Sequence, residues 1–80
     1  MSGLTTRAAV TLYTVYGMPS DFPHEFVCRR YDGRTAEPID AGEPFARGRT
    51  LAEVRRALPA GLYNLGRQPN DDWAIVESWV

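Results

Sequence analysis

Apolar and polar side chains alternate from Ala9 to Tyr16, in AVTLYTVY, with Val10, Leu12, Thr14 and Tyr16 pointing one way and Thr11, Tyr13 and Val15 the other. β-Branched and aromatic residues dominate the stretch, which predicts a strand. Apolar groups on both of its faces predict a central strand covered to some degree on each side. Gly17, Pro19 and Pro23 break the pattern, and it resumes as a second strand in EFVCRRY, residues 25–31, which ends at the turn dipeptide Asp32-Gly33. Residues 32–49, DGRTAEPIDAGEPFARGR, show no period. A span of that length is expected to be a flexible functional loop, or to hide a short edge strand near Thr35–Ile39, where Pro38 would confine it to the sheet border.

The period then changes. In TLAEVRRALP, Leu51, Val54 and Leu58 recur at helical spacing, and Thr50 with Glu53 three residues on forms a capping box. Arg55 and Arg56 fall in the last turn, where the helix dipole favours cations, and Pro59 with Gly61 ends the helix. GLYNLG reads as a strand, RQPNDD as a loop and WAIVESWV as a last strand. The expected fold is therefore α+β in ββαββ order. It is a four-stranded, mainly antiparallel sheet with one short helix packed on one face, in a single domain spanning 1–80.

Composition narrows the function classes. Eighty residues leave room for one core, and a chain this short is marginal enough that self-association, a homodimer for instance, would help it. The net charge of −1 gives no general attraction to nucleic acid or to an anionic membrane. All nine basic residues are arginine, as expected of GC-rich coding. The lone Cys28 rules out an internal disulfide and a multi-cysteine zinc site. No leader pattern or membrane-length apolar run is visible, so a cytoplasmic protein is expected.

Candidate chemistry is sparse. Asp21, His24 and Glu25 form an Asp-x-x-His-Glu cluster, yet metal ligand sets usually draw on several distant segments. Ser20 and Asp21 lie too near His24 in sequence to build a relaxed nucleophile–base set. Cys28, flanked by Arg29 and Arg30, is either a structural thiol or one activated by those cations. A small metal-binding or thiol-dependent enzyme using His24, Asp21 and Cys28 is thus one alternative. A sheet-face binder of single-stranded RNA, stacking bases on aromatics such as Tyr13, Tyr63, Trp73 and Trp79, is another, opposed by the acidic neighbours Asp71, Asp72 and Glu77. The main expectation is no catalytic residue, no metal and no cofactor.

What remains is protein recognition. In the last strand Trp73, Ile75, Glu77 and Trp79 share one side under strict alternation, and Ala74, Val76, Ser78 and Val80 the other. The small aliphatic set suits helix packing, while Glu77 between the rings argues against burial of the tryptophan set. Two readings stand: the rings cover the core with wet edges, or they meet a partner. The second defines a partner-binding surface of Tyr63, Arg67, Asp71, Asp72, Trp73, Glu77 and Trp79, polar at its rim.

A resemblance bears on the partner. Thr14, Val15 and Tyr16, followed by Pro19, Asp21, Phe22 and Pro23, match one half of a pattern shared by a group of small bacterial and prophage proteins. Gly61, Leu62 and Tyr63, then Arg67, Gln68, Pro69, Asp71 and Asp72, and finally Ile75, Val76, Glu77 and Trp79 match the other half. The chain resembles that group over about half its length, with Trp73 standing where the pattern has proline. The group brings no chemistry, but prophage-borne members resemble anti-CRISPR proteins. The resemblance implies a non-enzymatic inhibitor that binds a host protein complex, such as a CRISPR effector subunit, by steric and charge complementarity.

Overall fold

The computed structural model describes residues 10–80. In chain order its elements are β1 (Thr11–Gly17), β2 (Phe26–Asp32), β3 (Ala46–Gly48), α1 (Leu51–Arg56), β4 (Asn64–Gly66) and β5 (Ile75–Trp79). They build one antiparallel sheet in the order β3-β2-β1-β5-β4, with α1 against one face. The architecture is mainly β, with five strands where the periodicity predicts four. The additional strand lies inside the span expected as a loop.

Ala46-Arg47-Gly48 has little strand preference of its own. It pairs because Phe26–Cys28 offers an outer edge: Phe26 faces Gly48, Val27 faces Arg47 and Cys28 faces Ala46. The edge strand expected near Thr35–Ile39 shrinks to a single bridge between Tyr31 and Pro38, continued by the Ile39 amide donating to the Arg30 carbonyl at 3.1 Å. Around that bridge, the Asp32 carboxylate accepts from the amides of Arg34 and Thr35, and Arg30 grips Asp40 through two hydrogen bonds of 2.6 and 2.9 Å.

The helix is the element the sequence declares most clearly. The Thr50 hydroxyl accepts from the Glu53 amide at 3.2 Å, with Thr50 in extended conformation. The Glu53 carboxylate returns to the Arg49 amide at 2.8 Å, one residue before the position that a regular capping box uses. Amides of Ala57 and Leu58 close tight three-residue turns onto Val54 and Arg55, so the helix stops before Pro59. Val54 is wholly buried against the sheet.

Register assigns the two faces. On the helix side Tyr13 lies between Arg30 and Trp79, and Val15 between Cys28 and Glu77. Tyr13, Val15, Cys28 and Val54 form the core, with Phe26, Phe45, Ala46, Leu51, Leu58, Leu62, Val76 and Trp79 packed around them. On the other side Leu12 lies beside Tyr31, Thr14 between Arg29 and Ser78, and Tyr16 between Val27 and Ile75.

The last strand corrects the alternation expected of it. Val15 pairs with Glu77, yet the next residue, Tyr16, pairs with Ile75, which leaves Val76 as the extra residue of a β-bulge. Beyond the bulge the faces exchange. Ile75 sits on the side away from the helix, whereas Glu77 and Trp79 lie on the helix side; of the small aliphatic set expected there, Val76 packs against the core while Ser78 pairs with Thr14 on the opposite side.

Candidate protein-interaction surface

Glu77 is only 4% exposed. A carboxylate so placed needs partners, since an unpaired buried charge costs several kcal/mol, on the order of a quarter or more of a small domain's stability. Arg55 supplies two hydrogen bonds from α1, at 2.5 and 2.9 Å. The Trp79 indole Nε1–H donates at 2.8 Å and the Asn64 amide at 3.3 Å. The Arg55 guanidinium beside Glu77 holds the carboxyl below the usual glutamate range, aided by Trp79 and Asn64 against the opposing effect of burial. The same guanidinium lies over the Trp79 ring, 5.8 Å from its centroid. Two members of the expected partner-binding set, Glu77 and Trp79, thus face α1 rather than solvent.

Arg55 and Asn64 are functional neighbours that the sequence reading missed. The signal for Arg55 was present: it lies four residues after Leu51 and three before Leu58, beside the apolar stripe and not opposite it. A cation at that border reaches the sheet, and Glu77 is the anion there. No comparable signal marks Asn64.

The loop between β4 and β5 holds the next three residues. Arg67 donates to the carbonyls of Asp71, Asp72 and Ile75 at 3.1, 3.3 and 3.1 Å, closing the loop with one planar fork. The Asp71 carboxylate accepts from the Gln68 amide at 2.8 Å, and that of Asp72 from the Ala74 amide at 3.0 Å. The Gly17 amide ties the loop to β1 by donating to the Ala74 carbonyl at 2.8 Å. Three side chains read as a polar rim therefore shape the loop.

Trp73 and Tyr63 remain outward. Trp73, at the end of the stapled loop, is 83% exposed beside a hollow of about 250 Å³ lined by Tyr16, Pro19, Ser20, Asp72 and Ala74. Tyr63, 72% exposed, exchanges backbone hydrogen bonds with Val80 at 2.7 and 3.0 Å. Its side chain belongs to the face away from the helix, because the next residue, Asn64, pairs with Trp79 on the helix side. Val80 adds exposed apolar surface on that side, so Tyr63 sits at an apolar edge, apart from Trp73.

Of the residues of the enzymatic alternative, Asp21 and His24 line one cleft and Cys28 stands apart from them. Cys28 is wholly buried on the helix side, and burial pushes its thiol up to about 12, since desolvation outweighs the nearby Arg30. Asp21 pairs with Arg29 at 2.7 Å, on the other side of the sheet. His24 lies exposed in the β1–β2 connection. Among the described residues there is no group of three or more His, Cys, Asp or Glu side chains placed to hold a metal, and no helix long and apolar enough to cross a membrane. Comparisons of the chain with protein-family models, with curated proteins and with solved structures give no match.

Proposed function

We propose that this chain is a non-enzymatic protein-binding module whose docking element is the β4–β5 hairpin and its loop. In its most specific form it is a phage- or prophage-encoded inhibitor of a host defence complex, of the anti-CRISPR type. The observation that carries the reading is Trp73, a large aromatic displayed to solvent on a loop already fixed by hydrogen bonds from Arg67 and to Asp71 and Asp72. Exposed tryptophans are costly to display without purpose and are the residues most enriched at interface hot spots. A loop ordered before binding loses little conformational entropy on docking. Asp71 and Asp72 flank the ring with negative charge suited to an arginine- or lysine-lined channel, which speeds encounter as well as fixing register. In this reading Glu77 and Trp79 act from within, holding the hairpin to the helix, and Tyr63 extends the contact at the far end of β5. The phage-inhibitor form rests on the sequence resemblance.

The test is co-purification of the tagged chain with CRISPR effector complexes, alongside plaque formation by a targeted phage in a host with active immunity. The native chain is expected to retain an effector subunit and restore plaques. A folded Trp73→Ala/Asp72→Arg variant is expected to lose both. Undiminished capture by that variant overturns the docking element, and absence of protection by the native chain overturns the inhibitor form.

A further inference from the structure

The β1–β2 connection and Arg49 border an open cleft of about 640 Å³, lined by Asp21, Phe22, Pro23, His24, Glu25 and Arg49. Its charges do not cancel. Asp21 is engaged by Arg29 at 2.7 Å, and Glu25 by Arg47 at 3.4 Å. Arg47 also lies over the Phe22 ring, 4.6 Å from its centroid, which holds that cation outside the lining. Among the described residues, the Arg49 guanidinium and the His24 imidazole have no ion-pair or side-chain hydrogen-bond partner; Arg49 uses only its backbone amide, on Glu53. Both acids on the wall are thus neutralised by cations outside the lining, while the two cationic or hydrogen-bond-donating groups of the lining are left unspent.

We propose that this cleft is a binding site for a carboxylate carried on a short apolar stem, with Arg49 and His24 as its donors. A guanidinium presents two parallel N–H groups that match a carboxylate edge, and imidazole adds a third donor. Phe22 and Pro23 supply an apolar wall for the stem. Arg49 is the one arginine of the lining, which matches a monoanion better than a dianion such as a phosphate monoester. The site goes beyond the hairpin reading and does not depend on it, since it uses neither Trp73 nor the loop of Arg67.

The experiment is a titration of the isotope-labelled chain followed by nuclear magnetic resonance, reading the His24 ring and the Arg49 Nε–H. The probes are N-acetylglutamate α-amide, which offers only a side-chain carboxylate, N-acetylalanine, which offers only a chain-terminal one, and inorganic phosphate. Saturable shifts at both residues with at least one carboxylate are expected, and the tighter of the two identifies the source. Arg49→Gln is expected to weaken binding on the order of tenfold, the loss of one charge-assisted bond, whereas Arg56→Gln, on the exposed side of α1, leaves it unchanged. Three results overturn the site: no saturable shift, tighter binding of phosphate than of either carboxylate, or equal weakening by Arg56→Gln.

Discussion

Glu77 is a buried carboxylate held by three side chains, and the two members of its ion pair are unequally placed. Its own side chain is 5% exposed, whereas that of Arg55 is 45% exposed. Removing the arginine strands a buried carboxylate, while removing the acid frees a guanidinium that water can reach. Arg55→Ala is therefore expected to cost about 3 kcal/mol and Glu77→Gln about 1 kcal/mol, read from urea unfolding. The pH dependence has a definite sign. The folded-state value of Glu77 is lowered from 4.5, so its contribution is complete above that value and disappears as pH falls below it toward the lowered one. The Glu77→Gln variant is accordingly expected to lose less stability than the native chain across that acid range, in unfolding curves collected at stepped pH. Cys28 gives a second residue-scale expectation. With its thiol buried and its ionisation pushed up, alkylation by iodoacetamide should be negligible in the folded protein and rapid in denaturant. In the sequence Glu77 is the anomaly of the last strand, and its place between two tryptophans predicts solvent exposure. Burial of a charge depends on partners distant in sequence, here Arg55 twenty-two residues away, and no local pattern records that.

At the scale of elements, local rules succeeded where the signal was local. Thr50, Glu53 and the Leu51–Val54–Leu58 stripe made the helix legible, and the structure places it at Leu51–Arg56. A helix of six residues has few hydrogen bonds of its own and depends on its cap. Thr50→Ala is expected to cost about 1 kcal/mol in thermal or urea unfolding. β1 and β2 were equally legible, within a residue or two, because aromatic and β-branched side chains cluster there. β3 was not, since Ala46 and Gly48 pair only because β2 offers them an edge. The loop before β5 makes a different prediction. Arg67→Ala removes three carbonyl contacts but no buried surface, so the amides of Ala74 and Ile75 should exchange faster with solvent deuterium. The overall unfolding midpoint should stay nearly unchanged.

For the molecule as a whole, antiparallel sheet and single helix were legible from period and punctuation, while strand number and the assignment of sides were not. The order β3-β2-β1-β5-β4 places the first described strand at the centre and joins it to the last, a long-range pairing with no sequence signature. The sheet has one face packed by α1 and one crossed by the β1–β2 connection, through Asp21 on Arg29 and Phe22 under Arg47. Display and support are thus divided: Trp73 and Tyr63 stand in solvent, and Glu77 and Trp79 stand inside. Trp73→Ala and Tyr63→Ala should each change stability by less than about 0.5 kcal/mol, whereas Trp79→Ala should cost several times that. Circular dichroism melts would separate the two classes.

The bulge at Val76 also bears on how the chain tolerates change in length. Ile75 and Glu77 already face consecutive residues of β1, Tyr16 and Val15. Deleting Val76 would join them as neighbours in an unbroken ladder, with every pairing on either side kept in frame. The loss would be one side chain packed near Gly17 and Phe26. Most single-residue deletions within a strand turn its remaining side chains over; here the strand carries a spare residue, and Val76 is a position where the chain is expected to shorten by one without exchanging its inside for its outside.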